Sequence, residues 1–560
     1  MLTADTAPIG SGRAIARVAS SRVSAAAPAD PVWTGDAGGV CFAGDGLRSA
    51  CRAIRQPAYL VRSASGAVGV ALGGGVGAPA RGEVAYPLVG VSPPIYPEWL
   101  GDRSFCEQHG VRFPYIVGEM AHGIASPRMV VATGEAGLLG FLGTAGLSPS
   151  RIEDMSRAVA EALDPQGLPW GANLIHSPHD NHLEWSVAEL YLRLGVARVS
   201  ASAFMSITPA LVLLAAKGLS VAEDGTVVRP RHIFAKISRP ETARLFMSPP
   251  PDGVLRSLVG DGHLTEREAD LASQLAIAED VTVEADSGGH TDNRPMTVSL
   301  PRVAELRAEL TETFGYQRRI RVGAGGGVGS PAAAAAAFGL GADFVLTGSI
   351  NQACVESGLS ESARELLVGI DMADVAMAAS ADMFELGVKV QVLKRGVMFA
   401  ARANQLYALY SQYGSLEDLP HGKRAQLEKD VFRAPIDEIW TETRNFFRTR
   451  NPAEVERAER DPKHRMALVF RWYLGNSIRW AINGDADRKV DYQIWCGPAM
   501  GAFNSWTAGT WLENVEARTV GQVGKNLLEG SAVILRAQAL RAAGVAVGPE
   551  CFRFEPELLA

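Results

Sequence analysis

Between Phe113 and Gly348 the chain repeats one unit, a short run of apolar and β-branched residues followed by a segment with helical periodicity. Such alternation is typical of parallel strands joined by crossover helices. The runs that we interpret as strands are Tyr115–Val117, Leu138–Leu142, Trp170–Ile175, Ala197–Ser202, His232–Ile237, Val281–Asp286, Ile320–Gly325 and Asp343–Gly348. Eight units in about 235 residues match a TIM barrel, because an open doubly wound sheet usually has about five to seven strands. The sequence therefore predicts an α/β fold with a (β/α)8 barrel over residues 111–350.

Local signals mark the segments between these runs. Ser148-Pro149 and Ser330-Pro331 each place a hydroxyl at the N-cap and a proline at the first helical position. After the fifth run, the turn-forming sequence Pro249–Gly253 indicates an inserted loop.

The segments that flank the barrel differ from it in composition, so we expect three further units. Residues 1–110 predict a disordered tail, which lacks the apolar stretch of a secretory signal, and a small β-rich region. Residues 351–480 are rich in aromatic and charged residues and predict a helical substrate or carrier-protein domain. Residues 481–560 contain an amphipathic helix, Gly521–Gly544, which we expect to return to the barrel.

Charge and cysteine content exclude several classes of function. The chain has 54 basic and 61 acidic residues and a net charge of −7, so a general attraction to nucleic acid or to an anionic membrane is not expected. Its six cysteines form no CxxC metal motif and no disulfide-dense pattern, which favours a reducing, cytoplasmic environment. The longest apolar run is interrupted by glycines and Asp343, so no membrane span is predicted. The oligomeric state stays open, with a homodimer as one alternative.

The strongest chemical signal lies at the ends of the last three runs. There the sequence reads EADSGGH (Glu284–His290), GAGGGVGS (Gly323–Ser330) and TGS (Thr347–Ser349). Barrel active sites lie at C-terminal strand ends, where consecutive glycines and a helix N-terminus can bind a phosphate. The pentapeptide GGGVG also occurs at Gly73–Gly77, but no helix signal follows it, so we interpret that copy as a flexible turn. The sequence completes neither a Rossmann motif nor a P-loop.

The chain resembles the PfaD-type trans-acting enoyl reductases of polyunsaturated fatty acid and polyketide synthases. The stretches that carry this resemblance are VGEMAHG, NLIHSP, EADSGGH, GAGGGVGSPAAAAAAFGLGADFVLTGSINQ, VKVQVLKRGVMFAARANQLY and WCGPAMGAF. The resemblance extends over nearly all of the chain from about residue 85 onward. The resemblance implies an FMN-binding TIM barrel related to nitronate monooxygenases, with NADPH as the hydride source and acyl carrier protein domains as partners.

Carried over by position, the resemblance also assigns residues to the cofactor and to the reaction. His290 matches a histidine that lies near the flavin and serves as an acid or base. Its position alone indicates either a loop histidine that titrates near neutral pH or a structural histidine that caps a turn. Lys236 either faces the flavin or fills the polar upper layer of the barrel. The residues implied to bind the cofactor are Gly118, Glu119, Met120, Asn173, Lys236, Asp286, Gly288, Gly289, Gly325, Gly326, Gly327, Gly348 and Ser349.

Three histidines and a basic group allow more than one interpretation. His176, His179 and His182 resemble a metal triad, but they span a proline-containing loop and no CxxC or HExxH motif accompanies them. We therefore predict no metal and expect His176 to line the substrate mouth. A second group is either a solvated helix face or a docking site for an acidic carrier protein, and it consists of Lys389, Lys394, Arg395 and Arg402.

Together these features predict an FMN-dependent enoyl reductase that acts in trans. It would reduce the α,β double bond of enoyl thioesters bound to acyl carrier protein, with NADPH as reductant, in polyunsaturated fatty acid or polyketide biosynthesis. The alternatives are a nitronate monooxygenase, with His290 as its base, and a non-catalytic subunit of a synthase.

Overall fold

The computed structural model describes residues 31–177 and 181–560. The predicted disordered tail at residues 1–30 therefore lies outside the described residues. The elements before the barrel are β1 (Val32–Gly35), β2 (Val40–Cys41), α1 (Asp45–Arg52), β3 (Ala58–Arg62), β4 (Val68–Leu72), β5 (Gly75–Val76), β6 (Val84–Ser92) and α2 (Arg103–His109). The strands form one antiparallel sheet in the order β2-β4-β3-β6-β1-β5. Because β5 lies in the first GGGVG copy and pairs with β1, the prediction of a flexible turn is wrong for Gly75 and Val76.

The next segment forms the barrel. Its elements are β7 (Tyr115–Val117), α3 (Pro127–Glu135), β8 (Leu139–Leu142), α4 (Pro149–Leu163), β9 (Gly171–Ile175), α5 (Asn181–Leu194), β10 (Arg198–Ser202), α6 (Pro209–Ala216), β11 (Ser220–Val221), β12 (Val227–Val228), β13 (His232–Ile237), α7 (Pro240–Met247), α8 (Asp252–Gly260), α9 (Glu266–Ala272), β14 (Asp280–Glu284), β15 (Gly289–His290), α10 (Met296–Phe314), β16 (Arg321–Gly325), α11 (Pro331–Gly339) and β17 (Val345–Thr347). Eight parallel strands close in the order β10-β13-β14-β16-β17-β7-β8-β9. The predicted (β/α)8 barrel is confirmed, and every predicted strand overlaps one of these eight.

Local sequence explains the helices around the barrel. The Ser330 hydroxyl accepts a hydrogen bond from the Ala333 amide, with Pro331 at the first helical position, as the N-cap signal predicts. Helix α4 buries one apolar face on the sheet. The prediction of an inserted loop after the fifth strand is wrong, because the proline-rich turn is followed by α8 and α9, whose leucines pack on α6.

The N-terminal end of the barrel is closed by α2. Phe105 is fully buried and stacks on Phe344, with ring centroids 4.7 Å apart. His109 Nε2 lies 3.0 Å from Asp280 Oδ2, and the Arg321 guanidinium donates to both Asp280 oxygens. Aromatic packing and a neutralised charge cluster fill this end, so a ligand site belongs at the opposite, C-terminal ends of the strands.

The elements after the barrel are α12 (Glu361–Val368), β18 (Val375–Ala379), β19 (Lys389–Leu393), α13 (Phe399–Gln412), α14 (His421–Gln426), α15 (Ile436–Arg450), α16 (Pro452–Arg460), α17 (Pro462–Asn483), α18 (Ala499–Thr507) and α19 (Val520–Ala542). Strands β18 and β19 form a hairpin that pairs with β15. The expectation that the basic group lies in a helical region is thus wrong for Lys389, which begins β19, and for Lys394 and Arg395, which lie in the turn after it. Helix α19 packs on α11, where the Ser531 hydroxyl donates to the Pro331 carbonyl at 3.1 Å. Within the described ranges, no helix has the length and apolarity needed to cross a bilayer.

Candidate active site

Backbone amides without a partner among the described residues lie just after the ends of the neighbouring strands β16 and β17. Gly326 and Gly327 have φ of 79° and 71°, a conformation that favours glycine. The amides of Gly326, Gly327 and Gly348 donate no hydrogen bond within the part of the chain that the structure describes. A Cβ placed on Gly327 or Gly348 would meet no atom within 4 Å. Because α11 begins directly after this turn, its positive end adds to a site that suits an anion.

A second group of glycines lets the segment Trp495–Ala499 pack onto these strand ends. A Cβ on Gly288 would lie 2.7 Å from the Cys496 nitrogen, and one on Gly329 would lie 2.0 Å from the Ala499 carbonyl oxygen. The Gly497 amide donates to the Ser349 hydroxyl at 3.1 Å, which leaves the hydroxyl proton available. Gly288 is therefore explained by close packing with Cys496 rather than by an approach to phosphate.

Three charged side chains meet where β7, β13 and β14 end. Lys236 Nζ lies 3.3 Å from Glu119 Oε1 and 3.6 Å from Glu284 Oε1. Burial lowers the pKa of Lys236, but the two carboxylates raise it by more, so the amine stays cationic. Neither oxygen of the buried Glu119 carboxylate accepts a well-aligned hydrogen bond among the described residues. This group is a polar upper layer of the barrel with unused acceptor positions.

His290 is held by the β18–β19 hairpin. Its Nε2 lies 3.3 Å from both the Ser380 hydroxyl and Asp382 Oδ1, and its side chain is 39% exposed. Partial burial lowers the pKa of His290, but the hydrogen bond and the negative charge of Asp382 raise it by more. The imidazole is thus protonated to a larger extent near neutral pH than an isolated histidine.

Other residues implied by the resemblance also lie at this end of the barrel. Asn173 is buried, and its Nδ2 donates to the Ser200 carbonyl and the Ser202 hydroxyl. The Asp286 carboxylate accepts from Asn293 and from Gln391 of β19. Gly118, Met120, Gly289 and Gly325 are buried in the strand ends around them. The barrel therefore brings the predicted set together, although several members are already occupied by internal contacts.

His122 was missed by the sequence interpretation and lies at the same mouth. It has φ of 58°, and its ring centroid lies 5.7 Å from that of Trp495. Burial, with a smaller contribution from the positive charge of Arg479, lowers the pKa of His122 to about 4. Its ring nitrogens have no hydrogen-bond partner among the described residues, so a neutral imidazole is available to a ligand. The AHG sequence after β7 is the only signal that could have drawn attention to it.

The three histidines that resemble a metal triad in sequence were not expected to bind a metal, and only His176 and His182 belong to the described residues. His179 lies outside the described residues and His182 is exposed on α5. His176 Nδ1 lies 2.9 Å from the buried Glu184, and its ring stacks on Phe204 at 5.0 Å. Within the described residues, 31–177 and 181–560, no group of three or more acidic, histidine or cysteine side chains is arranged to hold a metal ion.

The structure separates the four members of the basic group. Arg402 is largely buried, and its guanidinium forms an ion pair with the fully buried Asp491. Arg395 pairs with Asp374 at 3.2 Å. Lys389 and Lys394 lie at opposite ends of the β19 segment, about 15 Å apart for an extended strand. A single docking patch made of all four cations is therefore wrong.

Known proteins share large parts of this chain. Residues 413–492 match the family model described as [acyl-carrier-protein] S-malonyltransferase, inserted helical domain. A polyunsaturated fatty acid synthase subunit of Thraustochytrium sp. is 45% identical over 449 residues, which are 79% of this chain and 30% of that protein. The polyketide biosynthesis protein PksE of Bacillus subtilis is 45% identical over 441 residues, 79% of this chain and 57% of that protein. The chain thus spans well under two thirds of either curated relative.

A solved structure matches over its full length. The enoyl reductase domain of MlnA, from the macrolactin biosynthesis cluster of Bacillus amyloliquefaciens, is 39% identical with a TM-score of 0.76. The match covers 80% of this chain and 99% of that domain. The similarity therefore includes the barrel and most of the segments around it.

Proposed function

Since the chain belongs to the PfaD-type enoyl reductase family of polyunsaturated fatty acid and polyketide synthases, we propose that it is an FMN-dependent enoyl reductase acting in trans. Its substrate is an α,β-unsaturated thioester on an acyl carrier protein, and NADPH is the reductant. One observation carries the proposal: a histidine with a raised pKa lies at the same barrel mouth as a cluster of unpaired glycine amides.

The residues at the mouth fit FMN. The free amides of Gly326, Gly327 and Gly348, with the Ser349 hydroxyl and the α11 N-terminus, would hold its phosphate. The unused acceptors of Glu119 suit the N–H of a flavin ring. When bound, the flavin would supply the hydride chemistry that reduction of the α,β double bond at the expense of NADPH requires.

The protein's own groups then supply the proton and stabilise charge. Because Nε2 of His290 is held by Ser380 and Asp382, the proton for Cα comes from Nδ1 of the protonated ring, which balances the hydride added at Cβ and yields the saturated thioester. Asp382 raises the fraction of His290 that is protonated. Neutral His122 is suited to donate a hydrogen bond to the thioester carbonyl, where negative charge develops.

The purified protein's absorption spectrum tests the proposal. We expect a stoichiometric flavin that is bleached by NADPH under anaerobic conditions and reoxidised by crotonyl-pantetheine. Reoxidation only by oxygen in the presence of a nitroalkane would indicate a nitronate monooxygenase. A colourless protein that takes up no added FMN would indicate a non-catalytic subunit.

A further inference from the structure

An exposed phenylalanine lies between two arginines on the surface of α15 and α17. The Phe446 side chain is 37% exposed. The Arg450 guanidinium lies 4.6 Å from the centre of its ring, and that of Arg479, from α17, lies 5.8 Å away. We refer to Phe446, Arg450 and Arg479 as the Phe446 patch.

Some arginines of this region have acidic partners, whereas Arg450 and Arg479 belong, with Arg444, Arg448 and Arg471, to those without an ion pair among the described residues. On α16 and α17, Arg457 pairs with Glu385, Arg460 with Glu456, and Arg465 with Glu417. Neither Arg450 nor Arg479 forms an ion pair within the described part of the chain. In a chain with a net charge of −7, this is a local positive surface whose charge is not used internally.

The geometry of the patch suits carboxylates. A guanidinium that lies over a ring is held by its flat face, so its N–H groups point outward along the edge. Those groups can bind acidic side chains in a bidentate manner. The exposed ring between them adds apolar area at the centre of the surface, where a partner's aliphatic side chain can be buried.

The patch is also close to the mouth of the barrel. The Ser477 carbonyl of α17, two residues before Arg479, accepts a hydrogen bond from the Gln493 amide at 3.1 Å, and the ring of Trp495, two residues further on, lies 5.7 Å from that of His122. The positive charge of Arg479 also contributes, after burial, to the lowered pKa of His122. Asp382, which holds His290, acts on the same His122 ring with the opposite sign. A macromolecule on the patch would therefore sit beside the site, and a flexible acyl arm could enter from it.

We propose that the Phe446 patch is the surface on which an acidic acyl carrier protein docks. This inference rests on the proposed function, because it names where the carrier of that substrate binds. Charge complementarity selects the occupant. An acidic partner gains from cations that have no ion pair with residues 31–177 or 181–560, and the gain falls with salt over a Debye length of about 10 Å at 0.1 M.

Direct binding tests the patch without relying on turnover. The probe is the acidic acyl carrier protein of bacterial fatty acid synthesis, loaded with a crotonyl group, fluorescently labelled and titrated with the full chain at low and high salt. Arg450→Glu and Phe446→Ala should each weaken binding by about tenfold at low salt. The effect of Arg450→Glu should shrink at high salt.

Arg541→Glu is the matched control. Arg541 also lies in the last turn of a helix over a phenylalanine ring, with its guanidinium 5.0 Å from the centre of Phe552, near the bridge between Val545 and the N-terminal sheet. The Arg541→Glu variant makes the same charge change as Arg450→Glu but outside the patch. Carrier binding by this variant should therefore stay within about twofold of wild type.

Three outcomes would overturn the docking surface. The first is that the wild-type chain does not bind the carrier protein at low salt, and the second is that Arg541→Glu weakens carrier binding as much as Arg450→Glu does. The third is that the double variant Lys394→Glu/Arg395→Glu weakens carrier binding while Arg450→Glu does not. Reduction of crotonyl-pantetheine is measured separately on the same proteins. If that reaction fails in wild type while carrier binding depends on the patch, the proposed reaction is wrong and the docking surface stands.

Discussion

Gly327→Asp should weaken flavin binding by about 10²-fold in a protein that still folds. The position accepts a side chain, because a Cβ on Gly327 meets no atom within 4 Å. Gly326 is a poorer choice, since its Cβ would lie 2.8 Å from the Ala285 backbone and would disturb folding as well as binding. Gly73 in the first GGGVG copy is a matched control: its φ is 69°, against 71° for Gly327, and its Cβ would also meet nothing.

The expected magnitude follows from charge and conformation. Both variants place an L-residue in the left-handed region, which costs about 1 to 2 kcal/mol of unfolding free energy in each. Only at residue 327 would the new carboxylate lie near the flavin phosphate that the local amides are expected to bind, with about 5 Å between the two charges. Two like charges at that separation repel by about 3 kcal/mol at an effective dielectric constant of about 20, or about 10²-fold in affinity.

Flavin content and thermal unfolding measure the result. Each protein is purified with excess FMN, its flavin-to-protein ratio is read from the absorption spectrum, and its Tm is recorded with and without added FMN. Wild type and Gly73→Asp should keep the flavin and gain Tm with FMN, because a ligand that binds only the folded state stabilises it. A gain in Tm with FMN in Gly327→Asp that equals the wild-type gain, or an equal loss of that gain in both variants, would refute the assignment of the phosphate site.

Four further substitutions test individual roles. His290→Ala should retain FMN and slow reduction of crotonyl-pantetheine by about 10²-fold or more; reoxidation of the reduced flavin by the thioester at the wild-type rate would mark His290 as structural. Asp382→Asn should move the alkaline fall of kcat/KM to lower pH, because His290 acts only while protonated and would lose the charge that raises its pKa; a pH profile identical to that of wild type would contradict the pairing. Arg402→Met should lower the unfolding free energy by about 1.5 to 3 kcal/mol, because a charged hydrogen bond to Asp491 is lost, and it should leave carrier affinity unchanged. Weaker carrier binding at unchanged stability would indicate that Arg402 contacts the carrier protein. Asp280→Asn should lower the unfolding free energy measured in urea at pH 7 by about 3 to 5 kcal/mol, because Arg321 loses its buried partner. Since the pKa of Asp280 is held below its usual value, the difference from wild type should shrink as the pH falls below about 4. A difference that does not change with pH would argue against the charge as its source.

Local sequence patterns were sufficient for the barrel. Strand runs, N-cap serines and N1 prolines act within a few residues of one another, so Ser330 and Pro331 predict the start of α11 without knowledge of the fold. Period and length also limited the architecture to eight units that close on themselves. The second GGGVG copy could be recognised as the phosphate candidate for the same reason, because its strand and helix are adjacent in the chain. The resemblance added which cofactor and which substrate to expect.

Contacts between distant parts of the chain had to come from the tertiary structure. The β18–β19 hairpin pairs with β15 and so brings Asp382 to His290. Gly288 leaves room for the backbone of Cys496, which is more than 200 residues later in the chain. Arg402 resembled a surface cation in sequence, yet it is buried against Asp491. The pairing of α15 with α17 likewise places Phe446 beside Arg479. A residue's type fixes what chemistry its side chain can perform, but its charge state and its partner depend on burial and on neighbours that only the folded chain brings within a few ångströms.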